Sequence, residues 1–300
     1  MRAMLLEELN QPLRLREIEK PTPAAGEVLI AVRACGINFA DTLQVQGKYQ
    51  EKHPLPFAPG LEICGTVVDS GSGVSGMTGK RVAVLCGHGG LAEYAIAPAD
   101  QCVSVPDDMS DETAAAFLIA YGTSHLALAR RARLQAGETL LVLGASGGVG
   151  LTAVEIGKLM GAKVIACARG PEKLAIAARA GADHLIDSET DDIRTAVLAL
   201  GGADVVYDPV GGAQFKAALR ACNPEARLLP LGFASGDVPQ IPANLLLVKN
   251  LSVIGVYWGG YQKFNPAAMT ESIRQLFAWY SAGKLHPHIS HTLPLEKANE

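Results

Sequence analysis

The chain has 300 residues, of which 49% are hydrophobic and 19% are charged, and its formal net charge is −4 at pH 7. This composition is typical of a globular enzyme with a large buried core. The lack of a positive field argues against nucleic acid as a partner. The first residues turn acidic at Glu7 and Glu8, and no segment has the apolar length of a membrane helix. We therefore predict a cytoplasmic protein without a membrane partner.

Short strands separated by Pro and Gly residues are predicted for the first third of the chain. The candidate strands are residues 28–35, 63–69, 81–85 and 92–96. This spacing indicates a compact, partly antiparallel β domain. A helical region is predicted over residues 110–129, because Asp111 and Glu112 place negative charge at its start.

A strand, a glycine-rich turn and a helix follow one another between Thr139 and Met160. Residues 140–143 are apolar, residues 144–150 contain four glycines, and the predicted helix starts near Val149. A second apolar strand follows at residues 163–167. A turn of this kind brings the backbone and a helix N-terminus close to a pyrophosphate, so the pattern predicts a dinucleotide site.

Strands and helices alternate after this turn, which predicts a doubly wound parallel sheet and an overall α/β fold. The six strand candidates are residues 140–143, 164–167, 184–186, 203–207, 227–231 and 251–256. The helix candidates between and after them are residues 171–180, 191–199, 212–221 and 266–282.

The cysteines are scattered and form no C-x-x-C pair, which predicts reduced, buried thiols. They are Cys35, Cys64, Cys86, Cys102, Cys167 and Cys222.

Five short motifs, read together, resemble the zinc-independent medium-chain dehydrogenase/reductases of the quinone oxidoreductase (zeta-crystallin-like) group. They lie at residues 35–41, 59–62, 144–150, 208–212 and 232–236. The resemblance implies a GroES-like β domain interrupted by a Rossmann domain, with the active site in the cleft between them. It implies a first part of the catalytic domain at residues 1–121, an NADP-binding domain at 122–256, and a return to the catalytic domain at 257–300. Relatives continue past the position of Glu300, so the given chain is expected to be truncated.

The resemblance also implies that no zinc is bound. Zinc-dependent relatives have a Cys where this chain has Asn38 and a His where it has Leu61, and no Cys lies between Cys102 and Cys167. A zinc site needs several such groups converging on one point. Glu62 is present, but alone it has no metal to bind.

NADPH is the expected cofactor, because no acid ends the second strand and Arg169 and Lys173 follow it. The alternative is that both are ordinary surface charges, and Ser188 stands where many relatives have a Tyr near the 2′-phosphate. The predicted cofactor-binding residues are Asn38, Thr123, Ser146, Gly147, Gly148, Val149, Arg169, Lys173, Gly232, Phe233 and Tyr257.

Substrate contacts are predicted for Asn38, Asp41, Tyr49 and Trp258, and Tyr49 is the predicted catalytic residue. The resemblance implies that Tyr49 faces the substrate and that, in related enoyl-thioester reductases, a tyrosine there donates a proton. Turn formation by Asn38 and Asp41, and core packing by the aromatic residues, are the alternatives.

The predicted activity is hydride transfer from NADPH to a quinone or another activated C=C or C=O compound. One alternative is an enoyl-thioester (enoyl-CoA) reductase, and another is a non-catalytic NADP-binding protein of the crystallin or sensor kind. A homodimer is also predicted, because the apolar segment 245–254 precedes or forms the last strand. An apolar edge strand that is exposed to solvent tends to pair with a strand of another chain.

Overall fold

The computed structural model describes residues 1–300, which divide into two compact units. The first unit contains Met1–Ile119 and Pro287–Glu300, and the second contains Ala120–His286. Residues 257–286 therefore lie in the second unit and not, as the predicted boundaries had it, in the first. The reason is the packing of helix 266–281, where Ser272 Oγ lies 2.7 Å from His125 Nδ1 and Trp279 meets the His125 ring edge-on.

The first unit is built on a five-stranded antiparallel sheet in the order β6-β3-β4-β5-β7 and a separate antiparallel pair, β1 and β2. Alternate residues of the long strands, such as Val28 and Ile30, point into one apolar core, as the two-residue period of a strand requires. The elements are β1 (Arg2–Leu5), β2 (Arg14–Glu17), β3 (Glu27–Gly36), α1 (Phe39–Val45), β4 (Glu62–Ser70), β5 (Arg81–Leu85), β6 (Tyr94–Pro98), β7 (Val103–Ser104) and α2 (Asp111–Ala115), with 3₁₀ turns at Ala99–Gln101 and Leu295–Lys297.

The helical region predicted over residues 110–129 consists of separate helices, because the chain breaks after α2. Ser110 caps α2 by accepting from the Thr113 N–H, and a new helix, α3 (Leu118–His125), begins after the buried Phe117. The Ile119 N–H in its first turn donates to the Glu62 carboxylate. A π-helical segment, Leu126–Ala132, continues α3 and ends at Arg133, which adopts a left-handed conformation. A tertiary partner thus decides where this helix starts.

The second unit contains a six-stranded parallel sheet in the order β10-β9-β8-β11-β12-β13, which confirms the predicted doubly wound fold. Strands β8, β9 and β11 are almost entirely buried and are therefore rich in apolar residues. The elements are β8 (Thr139–Leu143), α4 (Gly148–Leu159), β9 (Lys163–Ala168), α5 (Pro171–Arg179), β10 (His184–Asp187), α6 (Ile193–Ala199), β11 (Ala203–Asp208), α7 (Gly212–Ala221), β12 (Cys222–Pro230), α8 (Ala243–Lys249), β13 (Ser252–Val253), α9 (Tyr261–Phe264) and α10 (Pro266–Ser281).

The last predicted strand, residues 251–256, is shorter than expected. Only Ser252 and Val253 pair with β12, and the apolar run before them forms α8. α8 ends at Asn250, which adopts a left-handed conformation. Asparagine is one of the few residues besides glycine that adopts this conformation at the end of a helix. No helix of the structure combines the length and apolar character needed to cross a membrane.

The strand order reverses between β8 and β11, because the chain runs from β8 outward to β10 and then returns to the other side. In open parallel sheets, ligands bind outside the carboxyl ends of the strands at such a switch point. The predicted dinucleotide turn follows β8 and so lies at this position.

Candidate cofactor and substrate sites

The glycine-rich turn between β8 and α4 has the geometry of a dinucleotide-binding turn. Gly144 has a φ of +59°, and a Cβ on Gly150 would lie 2.2 Å from the Gly144 carbonyl oxygen. Only glycine allows this close approach. Gly147 and Gly148 are exposed, and a side chain on Gly148 would enter open space above the helix N-terminus. The backbone at Ser146, Gly147, Gly148 and Val149 is thus open to a ligand whose negative charge the N-terminus of α4 favours.

A buried hydroxyl network that the sequence did not reveal lies beneath this turn. Ser124 Oγ lies 2.8 Å from the Val149 carbonyl oxygen, from Thr152 Oγ1 and from Tyr207 Oη. Thr152 Oγ1 also contacts the Ala120 carbonyl oxygen at 3.0 Å. The network ties α3 to the first turn of α4 and to β11. The network stabilises the position of the turn, because moving the turn would leave buried hydroxyl groups without hydrogen bonds, which costs free energy.

The rim after β9 carries the two predicted phosphate-binding cations. Arg169 Nε lies 4.0 Å from Glu189 Oε1, and the side chains are 67% and 56% exposed, so the pair contributes little. Asp187, at the end of β10, accepts from the Gly170 and Glu189 N–H groups at 3.0 Å, and these bonds lower its pKa. Asp187 therefore shapes the Arg169 loop. Lys173 lies in the first turn of α5.

The turns after β11 and β12 border the same switch point. Asp208, at the end of β11, is buried and accepts from the Val210 and Gly211 N–H groups at 2.7 and 2.9 Å. A Cβ on Gly144 would lie 2.9 Å from Val210, so this turn abuts the glycine turn. Gly232 and Phe233 follow β12, and Phe233 is 39% exposed. Both predicted residues are therefore at a carboxyl end of the sheet.

The two predicted residues that follow β13 are one exposed and one buried side chain, and the predicted Thr123 lies in α3. Tyr257 is 41% exposed and lines a cavity of about 380 Å³ with Arg131 and Phe264. Trp258 is 6% exposed and packs against Gly122, where a Cβ would lie 2.7 Å from the indole. Trp258 is therefore a core residue, and its prediction as a substrate contact does not fit this packing. Thr123 is also buried.

In the first unit, Asn38 and Asp41 are held by hydrogen bonds within the unit. Asn38 Nδ2 donates to Glu62 Oε1 at 2.9 Å. The Asp41 carboxylate accepts from the backbone N–H groups of Asn38, Gly60 and Leu61 at 2.7 to 3.1 Å. Asp41 is 5% exposed, so its charge supports the loop around Asn38. This placement favours the turn-forming alternative over a direct substrate contact for Asp41.

Glu62 is a buried, hydrogen-bonded residue to which the sequence analysis gave little weight. It is 1% exposed, and its two oxygens accept from Asn38 Nδ2 and from the Ile119 N–H at 2.9 and 3.0 Å. Burial raises its pKa to about 8, and burial also raises the pKa of Asp41 to about 6. Glu62 therefore orients the Asn38 amide and joins β4 to the start of α3. In the sequence, only the motif at residues 59–62 drew attention to Glu62.

Tyr49 follows α1 and lines a second cavity, of about 290 Å³, that lies wholly within the first unit. The cavity also contacts Gln44 and the segment from Glu51 to Phe57. The Lys52 ammonium donates to the Gly47 carbonyl oxygen, which ties the two ends of the Tyr49 loop together. Tyr49 is thus positioned beside a ligand-sized space.

No group of three or more His, Cys, Asp or Glu side chains in the structure is arranged to hold a metal ion. Cys35 and Cys86 are both close to Gly60, and burial raises the pKa of Cys86 to about 12. A thiol of this kind stays protonated and is a poor ligand or nucleophile.

The two units define the class of the protein: a GroES-like β domain and a parallel-sheet domain with a dinucleotide turn. Residues 24–107 match the alcohol dehydrogenase GroES-like domain, and residues 148–275 match the family described as zinc-binding dehydrogenase. This architecture is that of the medium-chain dehydrogenase/reductases.

The relatives identify the branch of that family. A quinone oxidoreductase-like protein 2 homolog of Nematostella vectensis is 42% identical and covers 100% of this chain and 84% of its own length. A mycobacterial protein solved with NADPH is 31% identical, with a TM-score of 0.93, and covers 100% of this chain and 94% of its own. The Escherichia coli quinone oxidoreductase, solved with NADPH, is 28% identical, with a TM-score of 0.91 and the same coverage. The chain belongs to the quinone oxidoreductase group of this oxidoreductase family.

Proposed function

We propose that the protein is a zinc-free, NADPH-dependent oxidoreductase that reduces a quinone or another activated C=C or C=O compound. The observation that carries the proposal is the glycine turn at the switch point together with Arg169 and Lys173 beyond β9. No carboxylate ends β9, where an NAD-preferring site would place one to accept from the ribose 2′-OH. Relatives solved with NADPH support the same cofactor.

The residues of the second unit fit a bound dinucleotide. The N-terminus of α4, with Ser146 to Val149, would bind the pyrophosphate, and Arg169 and Lys173 would bind the 2′-phosphate. Gly232, Phe233 and Tyr257 follow other strands at the same edge and would contact the remainder of the cofactor. When bound, NADPH supplies the hydride, so the protein needs no metal or nucleophile of its own for this step.

The residues of the first unit would orient the acceptor. Glu62 holds the Asn38 amide in one orientation. Tyr49 would position the acceptor ring beside its cavity. Reduction of a quinone places charge on oxygen, which exchanges protons readily, so no specific proton donor is required there.

The proposal that the protein binds no zinc rests on the chemistry of the side chains at the expected ligand positions. Asn38 donates its amide to Glu62, Leu61 is apolar, and the neighbouring thiols have raised pKa values. Elemental analysis of the purified protein is expected to find no stoichiometric metal. Stoichiometric zinc whose removal abolishes activity would contradict this part of the proposal.

A homodimer joined through the second unit is also proposed. β13 is an edge strand of the parallel sheet, and α8 beside it exposes Leu247 and Val248 at 78% and 70%. Exposed apolar residues beside a bare edge strand favour pairing with another chain. Light scattering at micromolar concentration is expected to give twice the chain mass of 31.4 kDa, and a monomer mass would contradict the proposal.

The direct test of function is NADPH oxidation measured with a panel of quinones, enones and enoyl-CoA thioesters. Turnover with quinones is the expected result. Turnover confined to the thioesters would replace the proposal with an enoyl-thioester reductase. Tight NADPH binding without turnover of any acceptor would favour a non-catalytic NADP-binding protein.

A further inference from the structure

A carboxylate lies beside the cation that is proposed to bind the 2′-phosphate. It belongs to Glu189, in the turn 188–190 that follows β10, and its Oε1 lies 4.0 Å from Arg169 Nε. A Cβ on Gly170 would lie 3.8 Å from Glu189 Oε2, so the carboxylate also lies close to the backbone that leads into α5. The loop after β9 therefore has a negative as well as a positive side chain at its surface.

The backbone of this turn is fixed by Asp187. Its Oδ1 accepts from the Gly170 N–H and from the Glu189 N–H, both at 3.0 Å, so one carboxylate oxygen joins the two loops. The Ser188 N–H donates to the Ala168 carbonyl oxygen at 2.9 Å, which continues the pairing of β10 with β9. The position of Glu189 is therefore set by the backbone and not by its weak ion pair alone.

Glu189 differs in its contacts from the other acidic residues of the same loop. Residues 187–192 contain four carboxylates. Asp187 and Asp191 accept from backbone N–H groups within the loop, and Asp192 caps α6 by accepting from a backbone N–H. Glu189 instead lies against the Arg169 guanidinium, and both side chains are more than half exposed. Glu189 is thus the carboxylate whose charge acts directly on this guanidinium.

We propose that Glu189 limits the preference of the protein for NADPH over NADH. A phosphate bound to Arg169 would lie beside this carboxylate, and two negative groups at short range repel each other. NADH has an uncharged hydroxyl in place of the phosphate and meets no such repulsion. This assignment rests on the proposed function, because it takes the rim around Arg169 as the 2′-phosphate site.

The test measures the binding of two small probes to the full chain by isothermal titration calorimetry. Adenosine 2′,5′-bisphosphate and adenosine 5′-monophosphate differ only in the 2′-phosphate, and neither has a nicotinamide, so the measurement is independent of turnover. Glu189→Gln keeps the size of the side chain and removes its charge. The variant should bind the bisphosphate about fivefold more tightly and change the affinity for the monophosphate by less than about twofold.

Salt and a matched variant separate local repulsion from a general change in charge. The gain in affinity should shrink between about 0.1 M and about 1 M salt, because the Debye length falls from about 10 Å to about 3 Å. Glu225→Gln removes the same charge from an exposed glutamate near the amino end of β12, whereas dinucleotides bind at the carboxyl ends of the strands. It should leave both affinities at the parent values. Glu189→Gln should unfold at the parent temperature, since its side chain is exposed.

Three results would overturn the assignment. If Arg169→Ala weakens the bisphosphate but Glu189→Gln leaves its affinity unchanged, the role of Glu189 is wrong and the proposed cofactor site stands. A loss of affinity for the monophosphate in Glu189→Gln would show that this residue holds the ribose and does not oppose the phosphate. If the parent does not prefer the bisphosphate and Arg169→Ala has no effect, the proposed 2′-phosphate site fails together with the assignment.

Discussion

Replacement of Glu62 by glutamine should change how the stability of the protein depends on pH. The pKa of Glu62 is raised from 4.5 to about 8 in the folded state, mainly by burial. Between these values the folded protein keeps a proton that the unfolded chain has lost, so the free energy of unfolding falls as pH rises. Each pH unit in this window costs about 1.36 kcal/mol, which gives a loss of roughly 2–3 kcal/mol between pH 6 and pH 9.

Glu62→Gln is neutral at every pH and should lack this loss. In the variant, an NH₂ group replaces one of the two oxygens that accept from Asn38 Nδ2 and from the Ile119 N–H. An amide nitrogen cannot accept, so one of these two hydrogen bonds is lost. It should therefore be less stable than the parent at pH 6, by about 1 kcal/mol, and should reach or exceed the parent by pH 9. Titratable groups that do not interact with Glu62 cancel in the difference.

Urea unfolding at pH 6, 7, 8 and 9, followed by far-ultraviolet circular dichroism, measures the effect. Circular dichroism is preferred to tryptophan fluorescence because both tryptophans, Trp258 and Trp279, lie in the second unit. Glu19→Gln, on an exposed glutamate of the same unit, is the control and should follow the parent. A Glu62→Gln variant that loses stability with pH as steeply as the parent would refute the assigned role.

Three further outcomes follow from the sites. Arg169→Ala should weaken NADPH binding by about ten- to a hundredfold and leave NADH nearly unaffected, since a charge-assisted hydrogen bond contributes about 1.5–3 kcal/mol; equal weakening in a fluorescence titration would make Arg169 structural. Tyr49→Phe should change kcat for quinones by less than about tenfold, whereas a fall of about a thousandfold would indicate general-acid catalysis and favour an enoyl-thioester reductase. Gly150→Ala should cost at least about 1–3 kcal/mol of stability, because the new methyl group meets backbone at 2.2 Å. Gly148→Ala enters open space and should unfold at the parent temperature; equal Tm losses in the two variants would refute the close-approach argument.

Local sequence patterns predicted the parallel sheet of the second unit, but not the length of its last strand or the place of residues 257–286. A buried parallel strand is a continuous apolar run in the sequence. The glycines between β8 and α4 directly indicate a tight turn, because only glycine allows its backbone conformation. The alternation of strands and helices then determined the doubly wound sheet, and with it the edge at which Arg169, Gly232 and Tyr257 lie. These features depend on residues close together in the chain.

Contacts between distant residues decided the remaining features. Glu62 meets Asn38 across 24 positions and Ile119 across 57, and these bonds set both the amide orientation and the start of α3. Trp258 is a core residue because it packs on Gly122, and a local pattern cannot distinguish an indole in the core from one in a binding site. Burial and hydrogen-bond partners depend on how distant segments pack together. The environments of these side chains could therefore be identified only in the tertiary structure.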